Sequence, residues 1–353
     1  PDHLHPLTLS KLRKDMIFIT PNFKSSSTEN FLSSLGFTNI ITFDFNKKYL
    51  IKNFNFTILK SGDFRDDSGL LFNIGNFKAL FTVDSNFLNF NKLPSRLTLL
   101  ASSFAGGASG FPLCFDNISL LNKKKILKRN IDAIKLLNEN ILKITKPKFF
   151  LPYAGFFSEK AGRDSNIKIN NIKNKISDYK NLCENNKIEL LNIDRDQKFY
   201  FNGTKLTESR KNSDKYLADY SSDEYISNKK SVYSEINKNF IKNYFLNSGF
   251  STDLFLIIKL TDDNFSNIKI QFSIDFRENK FSYKSINFKF IGLKKLHEKK
   301  NMRILDLKIR YESFLDIINN GLPWEDLLIG FQTRVDRFPN IYNSDLLVKI
   351  LFS

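Results

Sequence analysis

Carboxylates and imidazoles set close together are the side chains that hold metal ions, and this chain begins with such a pair, Asp2-His3, with His5 two residues on. A zinc or iron centre needs three or four N, O or S ligands, so the pair is half a site at most. Asp84, closing the run Phe81-Thr82-Val83, and Asp63, ahead of Phe64, are placed to add carboxylates. Aspartates in such positions also cap turns, and both uses fit. The third histidine, His297, stands in Lys-Leu-His-Glu-Lys-Lys, a setting that predicts exposure. These residues alone complete neither a dinuclear site nor a Rieske cluster, which requires two Cys and two His. No nucleophile elbow supports Ser-His-Asp catalysis. Cys114 and Cys183 lie far apart without CxxC spacing, and Cys114, inside Phe-Pro-Leu-Cys-Phe, reads as a small buried hydrophobe rather than a nucleophile.

The stretch with the strongest binding character is Phe104-Ala105-Gly106-Gly107-Ala108-Ser109-Gly110-Phe111-Pro112, echoed by Leu151-Pro152-Tyr153-Ala154-Gly155-Phe156-Phe157. Residues this small fill little core volume but let backbone approach something closely. A ligand-binding loop and a tight loop that only lets two layers pack are both compatible with the run.

Strands and helices must carry these loops. Leu7, Leu9 and Leu12 predict a short helix, and Ile17 to Thr20 a buried strand. A helix from Glu29 to Leu35, closed by Gly36, leads to a strand at Ile40 to Phe43. Apolar runs at Phe54 to Leu59, Gly69 to Asn73, Ala79 to Val83 and Arg96 to Ala101 read as further strands, the last feeding the glycine-rich run. From Asn122 to Ile144, residues Ile126, Ile131, Ile134, Leu137, Ile141 and Ile144 fall near helical spacing. Phe149 to Leu151 is a strand feeding the second loop, which makes the first 160 residues an α/β alternation. Gly162 to Ser231 is polar and irregular apart from Ile188 to Ile193 and Phe199 to Gly203, and one helix is expected over Ser231 to Leu246. Antiparallel strands follow at Leu254 to Leu260, Ile268 to Phe276 and Phe281 to Phe290. A strand at Leu305 to Arg310 and a helix at Tyr311 to Asn319 complete a small α+β unit that closes on Pro323 to Arg334.

Composition sets bounds on function. With 41% hydrophobic and 14% aromatic residues in 353, the chain buries a large core. Its net charge of +17 comes from Lys scattered through every segment rather than from a basic face, which argues against nucleic acid and leaves an anionic small substrate open. No apolar run approaches 20 residues, so no membrane span is expected, and the isolated cysteines point to a reducing cytoplasm. The chain begins with Pro1, inside what reads as a motif, and is expected to be the C-terminal part of a longer protein.

Taken in order, Asp2-His3-Leu4, the strand ending Thr82-Val83-Asp84, Phe104 to Pro112, Pro152 to Phe157, and Gly321-Leu-Pro-Trp-Glu-Asp-Leu-Leu-Ile-Gly-Phe-Gln-Thr-Arg334 resemble the CMP-N-acetylneuraminate hydroxylase family of Rieske-type monooxygenases. The resemblance covers nearly the whole chain. It implies a metallo-β-lactamase-like αββα sandwich over residues 1–205, incomplete at its N-terminus, a helical connector over 206–250, and an α+β domain over 251–353 similar to lipid-carrier domains. It implies further that a [2Fe-2S] Rieske domain precedes Pro1, and that Asp2 and His3 end a His-x-His-x-Asp-His motif. Asp84 would match the bridging carboxylate. The sequence departs from the hydrolases of that fold, with Asp63 and Ala154 where histidines are expected, so one iron or zinc at Asp2, His3 and Asp84 fits better than two metals.

On this resemblance the chain would hold a CMP-sugar through the backbone of Gly106, Gly107 and Ser109, with Tyr153 beside them and Arg163 or Arg334 facing the phosphate or carboxylate. Electrons would come from cytochrome b5 or a reductase. Two other readings compete. One is a metal-dependent hydrolase of the lactonase or phosphodiesterase type, with a bound hydroxide as nucleophile. The other is an inert binding module for nucleotide sugars.

Overall fold

The chain opens with α1 (Pro6–Leu9), β1 (Phe18–Pro21), α2 (Ser27–Ser34) and β2 (Ile40–Phe43). This computed structural model describes residues 4–62, 66–83, 85, 88–106, 110–155, 159–193, 197–211, 221–233, 235–341, 343 and 346. β1 and β2 pair in parallel as a two-stranded sheet. Leu9, Leu32 and Phe37 form a small core beneath α1 and α2. The expected strand at Ile17 to Thr20 is present as β1 and covered on one face only, Thr20 being buried and Phe18 packing on that core while Ile17 is 65% and Ile19 40% exposed. Two strands cover too little of each other to bury both faces.

The large sheet follows. β3 (Lys48–Ile51), β4 (Phe54–Lys60), β5 (Ser68–Ile74) and β6 (Phe77–Val83) form an antiparallel meander; β3 is additional to the strands expected. β7 (Leu99–Ser102), α3 (Leu120–Thr145), β8 (Phe149–Pro152), α4 (Ser165–Asn170), α5 (Lys180–Asn185) and β9 (Glu189–Leu190) then extend it, with β6 to β9 mutually parallel and the seven strands in chain order. Period-two alternation sends Leu80, Leu100 and Phe150 to one face, against Ile141, Leu142 and Cys183 of α3 and α5. Ala79, Leu99 and Phe149 go to the other, against Phe201 and Leu206 of the hairpin β10 (Gln197–Asn202) and β11 (Lys205–Lys211). Each such Leu or Phe contributes about 1.5–3 kcal/mol on full burial. The buried stripe of α3 is rotated from the expected one: Leu127, Asn138, Ile141, Leu142 and Thr145 are buried, while Ile126, Ile131, Ile134 and Leu137 flank it. The 162–231 stretch is more regular than expected, carrying α4, α5 and the hairpin.

The expected single helix over Ser231 to Leu246 is two, α6 (Ser222–Val232) and α7 (Lys238–Leu246). The break lies at Asn237, whose side chain accepts from Phe240 N at 3.0 Å and starts a new helix. α7 sends Ile241 and Phe245 into the core of the second sheet. That sheet comprises β12 (Leu254–Thr261), β13 (Ile268–Asp275), β14 (Lys280–Lys284), β15 (Arg303–Arg310) and β16 (Thr333–Phe338), with α8 (Leu293–Lys300), α9 (Tyr311–Asn320) and α10 (Glu325–Ile329) between them. Its order is β14-β13-β12-β15-β16, with β12 and β15 parallel. The strand expected over Phe281 to Phe290 stops at Lys284, because the Gln271 amide captures the carbonyls of Ser285 and Phe288 at 3.2 and 2.9 Å. His297 is half-buried rather than exposed, Nδ1 lying 2.7 Å from Met302 O. Trp324 and Phe331 are core residues. The fold is mixed α/β with several sheets, and among the described residues no helix is long and apolar enough to cross a membrane.

Candidate functional site

Parallel strands deliver their following loops to one edge of a sheet, the edge where α/β proteins bind ligands. At the carboxyl ends of β6, β7 and β8 stand, in sequence, Asp84, the glycine-rich run and Tyr153-Ala154-Gly155. The last two loops touch. Tyr153 N donates to Ser102 O at 3.0 Å. Gly155 has φ 128°, and a Cβ on it would lie 2.5 Å from Ala105 Cβ, so only glycine lets the loops meet. Gly106, half-buried with φ 80°, packs on Ile131. Tyr153 is half-buried.

Gly110 ties the run to the second sheet. A Cβ there would meet Leu328 O at 2.6 Å and Cys114 Sγ at 2.7 Å. Beyond it Leu113, Cys114 and Phe115 enter the second core, where Val335 N donates to Cys114 O at 2.7 Å. Burial pushes the Cys114 thiol up to about 11, against the opposing pull of Arg334. Arg334 Nη1 lies 3.9 Å from that sulfur, so the arginine sits at the far end of the glycine-rich run. Its guanidinium stacks 4.0 Å over Phe265. His5 Nε2 lies 3.6 Å from Asp326 Oδ2 on α10, the helix whose Leu328 carbonyl packs on Gly110. Segments near positions 5, 105–106, 110–114, 153–155 and 326–334 therefore converge.

Arg163 belongs to a different constellation. Its Nη1 donates to Asp263 Oδ1 at 2.8 Å and to Glu312 Oε1 at 2.5 Å, and its Nη2 to Gln332 Oε1 at 2.9 Å. Arg310, fully buried, donates to both oxygens of Asp164 at 2.9 and 3.2 Å and shares Gln332 Oε1. Desolvation lowers the Arg310 pKa, and Asp164 opposes it. Arg163 and Arg310 face three carboxylates, Asp164, Asp263 and Glu312, and these contacts join the two sheets, whereas Arg334 donates to the carbonyls of Phe331 and Thr333. An anion could reach Arg163 only by displacing Glu312 and Asp263.

Sequence reasoning missed a buried polar network under the glycine-rich run. Asn138, Asn174 and Tyr179 are buried and hydrogen-bonded to the backbone of residues 103–105. One signal was available: Asn138 falls on the stripe of Leu127, Ile141 and Leu142, where a polar side chain needs a partner.

Asp2, His3, Asp63 and Asp84, the candidate metal ligands, lie outside the described residues, as do Gly107 and Ser109. Among the described residues no three His, Cys, Asp or Glu side chains come together in a way that could hold a metal ion. They do not by themselves make a donor set for iron or zinc.

No protein-family model matches the chain. In sequence it is a distant homologue of proteins named as hydroxylases. The relatives carry the name cytidine monophosphate-N-acetylneuraminic acid hydroxylase. That of Sus scrofa is 29% identical over 366 residues, covering 97% of this chain and 81% of the relative. That of Macaca mulatta is 28% identical over the same share of this chain, which spans 60% of the macaque protein's length. Among solved structures, CmlA, a diiron β-hydroxylase from Streptomyces venezuelae, aligns over 39% of this chain and 30% of its own at 15% identity, with a TM-score of 0.27.

Proposed function

We propose that this chain is the substrate-binding part of a monooxygenase that hydroxylates the N-acetyl group of a CMP-sialic acid or a related nucleotide sugar. The observation that carries the reading is similarity to CMP-N-acetylneuraminic acid hydroxylases along 97% of the chain. The geometry supports it: the motifs of the resemblance meet at the carboxyl edge of β6 to β8 and at α10. In this reading Gly106, Gly107 and Ser109 offer backbone N–H groups to the anionic nucleotide, Tyr153 borders them, and Arg334 faces the charge from the second sheet. Arg163 holds the joint between the sheets, since its Nη1 and Nη2 donate to Asp263, Glu312 and Gln332.

The finer divisions rest on the same resemblance. They are a metallo-β-lactamase-like domain over residues 1–205, a connector over 206–250 and an α+β domain over 251–353. A [2Fe-2S] Rieske cluster outside this chain, fed by cytochrome b5 or a reductase in the cytoplasm, would supply the electrons. Asp2, His3, Asp63 and Asp84 are the proposed metal ligands. The test is calorimetric titration of the chain with CMP-N-acetylneuraminate, alongside iron and acid-labile sulfide analysis of the full-length protein. Saturable CMP-sugar binding, lost in Gly107→Asp, together with two irons and two sulfides per chain, as a [2Fe-2S] cluster requires, is expected. Zinc without sulfide, and no CMP-sugar binding, would overturn the reading in favour of a hydrolase.

A further inference from the structure

We infer that Asn138, Asn174 and Tyr179 are positioning residues for the glycine-rich loop, acting through its backbone carbonyls to preset the ligand-binding conformation; this rests on the CMP-sugar reading above. The carbonyls of three consecutive residues leaving β7 are each engaged from below. Ser103 O accepts from Asn138 Nδ2 at 2.9 Å. Phe104 O accepts twice, from Tyr179 Oη at 2.9 Å and Asn174 Nδ2 at 3.1 Å. Ala105 O accepts from Asn174 N at 2.9 Å. Asn174 Nδ2 also donates to Ile131 O at 2.9 Å, fixing the loop to α3.

The donors form a chain with one direction. Thr82 Oγ1, at the end of β6, donates to Ser102 Oγ at 2.9 Å, and Ser102 Oγ donates to Asn138 Oδ1 at 2.7 Å. Asn138 Nδ2 lies 3.2 Å from Tyr179 Oη, which donates to Phe104 O. The ends of β6 and β7, helix α3 and the segment before α5 are thus wired to one short piece of backbone. A network made only of amides and hydroxyls costs stability to bury unless every member is satisfied. Simple packing between α3 and the sheet needs none of it, since leucine at position 138 would continue the apolar stripe.

Gly106, directly after the three held carbonyls, takes φ 80°. Burial pushes the Tyr179 hydroxyl up to about 12, so it remains a donor across the physiological range.

The test compares Tyr179→Phe and Asn174→Ala with Tyr244→Phe, a matched loss of a buried tyrosine hydroxyl on α7, where Trp324 Nε1 donates to Tyr244 Oη at 2.9 Å. Amide hydrogen exchange across residues 103–110 and affinity for CMP-N-acetylneuraminate are read in each, with thermal unfolding as the common scale. The expected result is faster exchange at 103–110 and CMP-sugar binding weakened about five- to tenfold in the first two variants, as when a pre-ordered loop must be ordered on binding. Tyr244→Phe should lower the unfolding midpoint comparably and change neither. Wild-type exchange in Tyr179→Phe and Asn174→Ala would overturn the inference, as would an equal loss of affinity in Tyr244→Phe. If wild-type protein binds no CMP-sugar, the functional reading fails, and the exchange data still decide whether these residues hold the loop.

Discussion

At the carboxyl end of β15, Arg310 is fully buried and its charge is met by Asp164, with Arg163, Glu312 and Asp263 close by. At the carboxyl end of β7, equally buried groups are neutral amides and hydroxyls, and what they hold is backbone rather than charge. Both are ends of parallel strands, the positions from which α/β sheets present ligands. The first is built on charge: each guanidinium has carboxylate or carbonyl partners, and the result joins two sheets. The second spends its polar groups on shaping a glycine-rich turn. Arginines scattered in sequence at 163, 310 and 334 thus come together at the joint, and the run without charge is the proposed binding loop.

The joint should give the largest stability effect. Arg310→Met leaves Asp164 in its buried position without its cation, and removing one partner of a buried pair costs about 3–5 kcal/mol. Urea unfolding measures it. A cost near that of an exposed pair, about 0–1 kcal/mol, would mean that water reaches the joint and that its charges are not saturated.

The loop edge should break next. Gly155→Ala combines a left-handed backbone with a Cβ 2.5 Å from Ala105 Cβ, and the strain is worth about 1–3 kcal/mol. Gly36→Ala has the same kind of backbone, φ 84°, but nothing within 4 Å of its new Cβ, and should cost about 1 kcal/mol. The difference between the two isolates the contact between the loops. CMP-N-acetylneuraminate affinity should fall in Gly155→Ala and be unchanged in Gly36→Ala.

How much of this was legible follows from the same contrast. Alternation along Ala79 to Val83 or Leu254 to Leu260 reports burial on two faces, and those strands stand where the apolar runs place them. Ile17 to Thr20 has the same look but leaves Ile17 and Ile19 exposed, because whether a second face is covered depends on strands far away in sequence. Gly110 and Gly155 were visible as small residues, but the atoms that exclude a Cβ, Leu328 O and Ala105 Cβ, belong to other segments. Arg163 read as an anion partner because sequence shows its charge; Asp263 and Glu312, at 100 and 149 residues' separation, show only in three dimensions. Asn138 was hidden because the expected stripe of Ile126, Ile131, Ile134, Leu137, Ile141 and Ile144 shares only Ile141 with the buried one.

Alkaline pH should separate the two ends further. Burial raises the folded-state pKa of Tyr179 from 10.0 to about 12 and of Cys114 from 9.0 to about 11. A pKa raised by folding means that the neutral form is favoured in the folded state. The stability this confers is complete below the unfolded pKa and is lost as pH rises through the folded one. The window is therefore pH 9.0 to about 11 for Cys114 and 10.0 to about 12 for Tyr179, each worth on the order of 1–2 kcal/mol. Tyrosinate absorbance and urea unfolding across that range should show the loss. Tyr179→Phe should remove its part of the slope and leave the Cys114 part in place.

The smallest effect should come from the turn that brings Phe265 under the arginines. Asp262, just past β12, accepts from Ser266 N at 2.9 Å and from Asn267 Nδ2 at 2.7 Å. Its desolvation is outweighed by these bonds, which hold the carboxyl down at about 2. Phe265 in that turn takes φ 61° and lies 4.0 Å under Arg334 and 4.8 Å under Arg310. Because Asp262 is exposed to solvent, its bonds compete with water, and Asp262→Ala should cost about 0.5–1 kcal/mol at neutral pH. A folded pKa below the unfolded 3.8 confers stability present above 3.8 and lost as pH falls toward about 2. Wild type and Asp262→Ala should therefore converge in acid, while Asp262→Asn, which keeps one acceptor, stays between them at neutral pH. A larger cost at neutral pH than for Gly36→Ala would mean that the turn aligns Phe265 for the whole arginine joint, and that the joint relies on stacking as well as on charge.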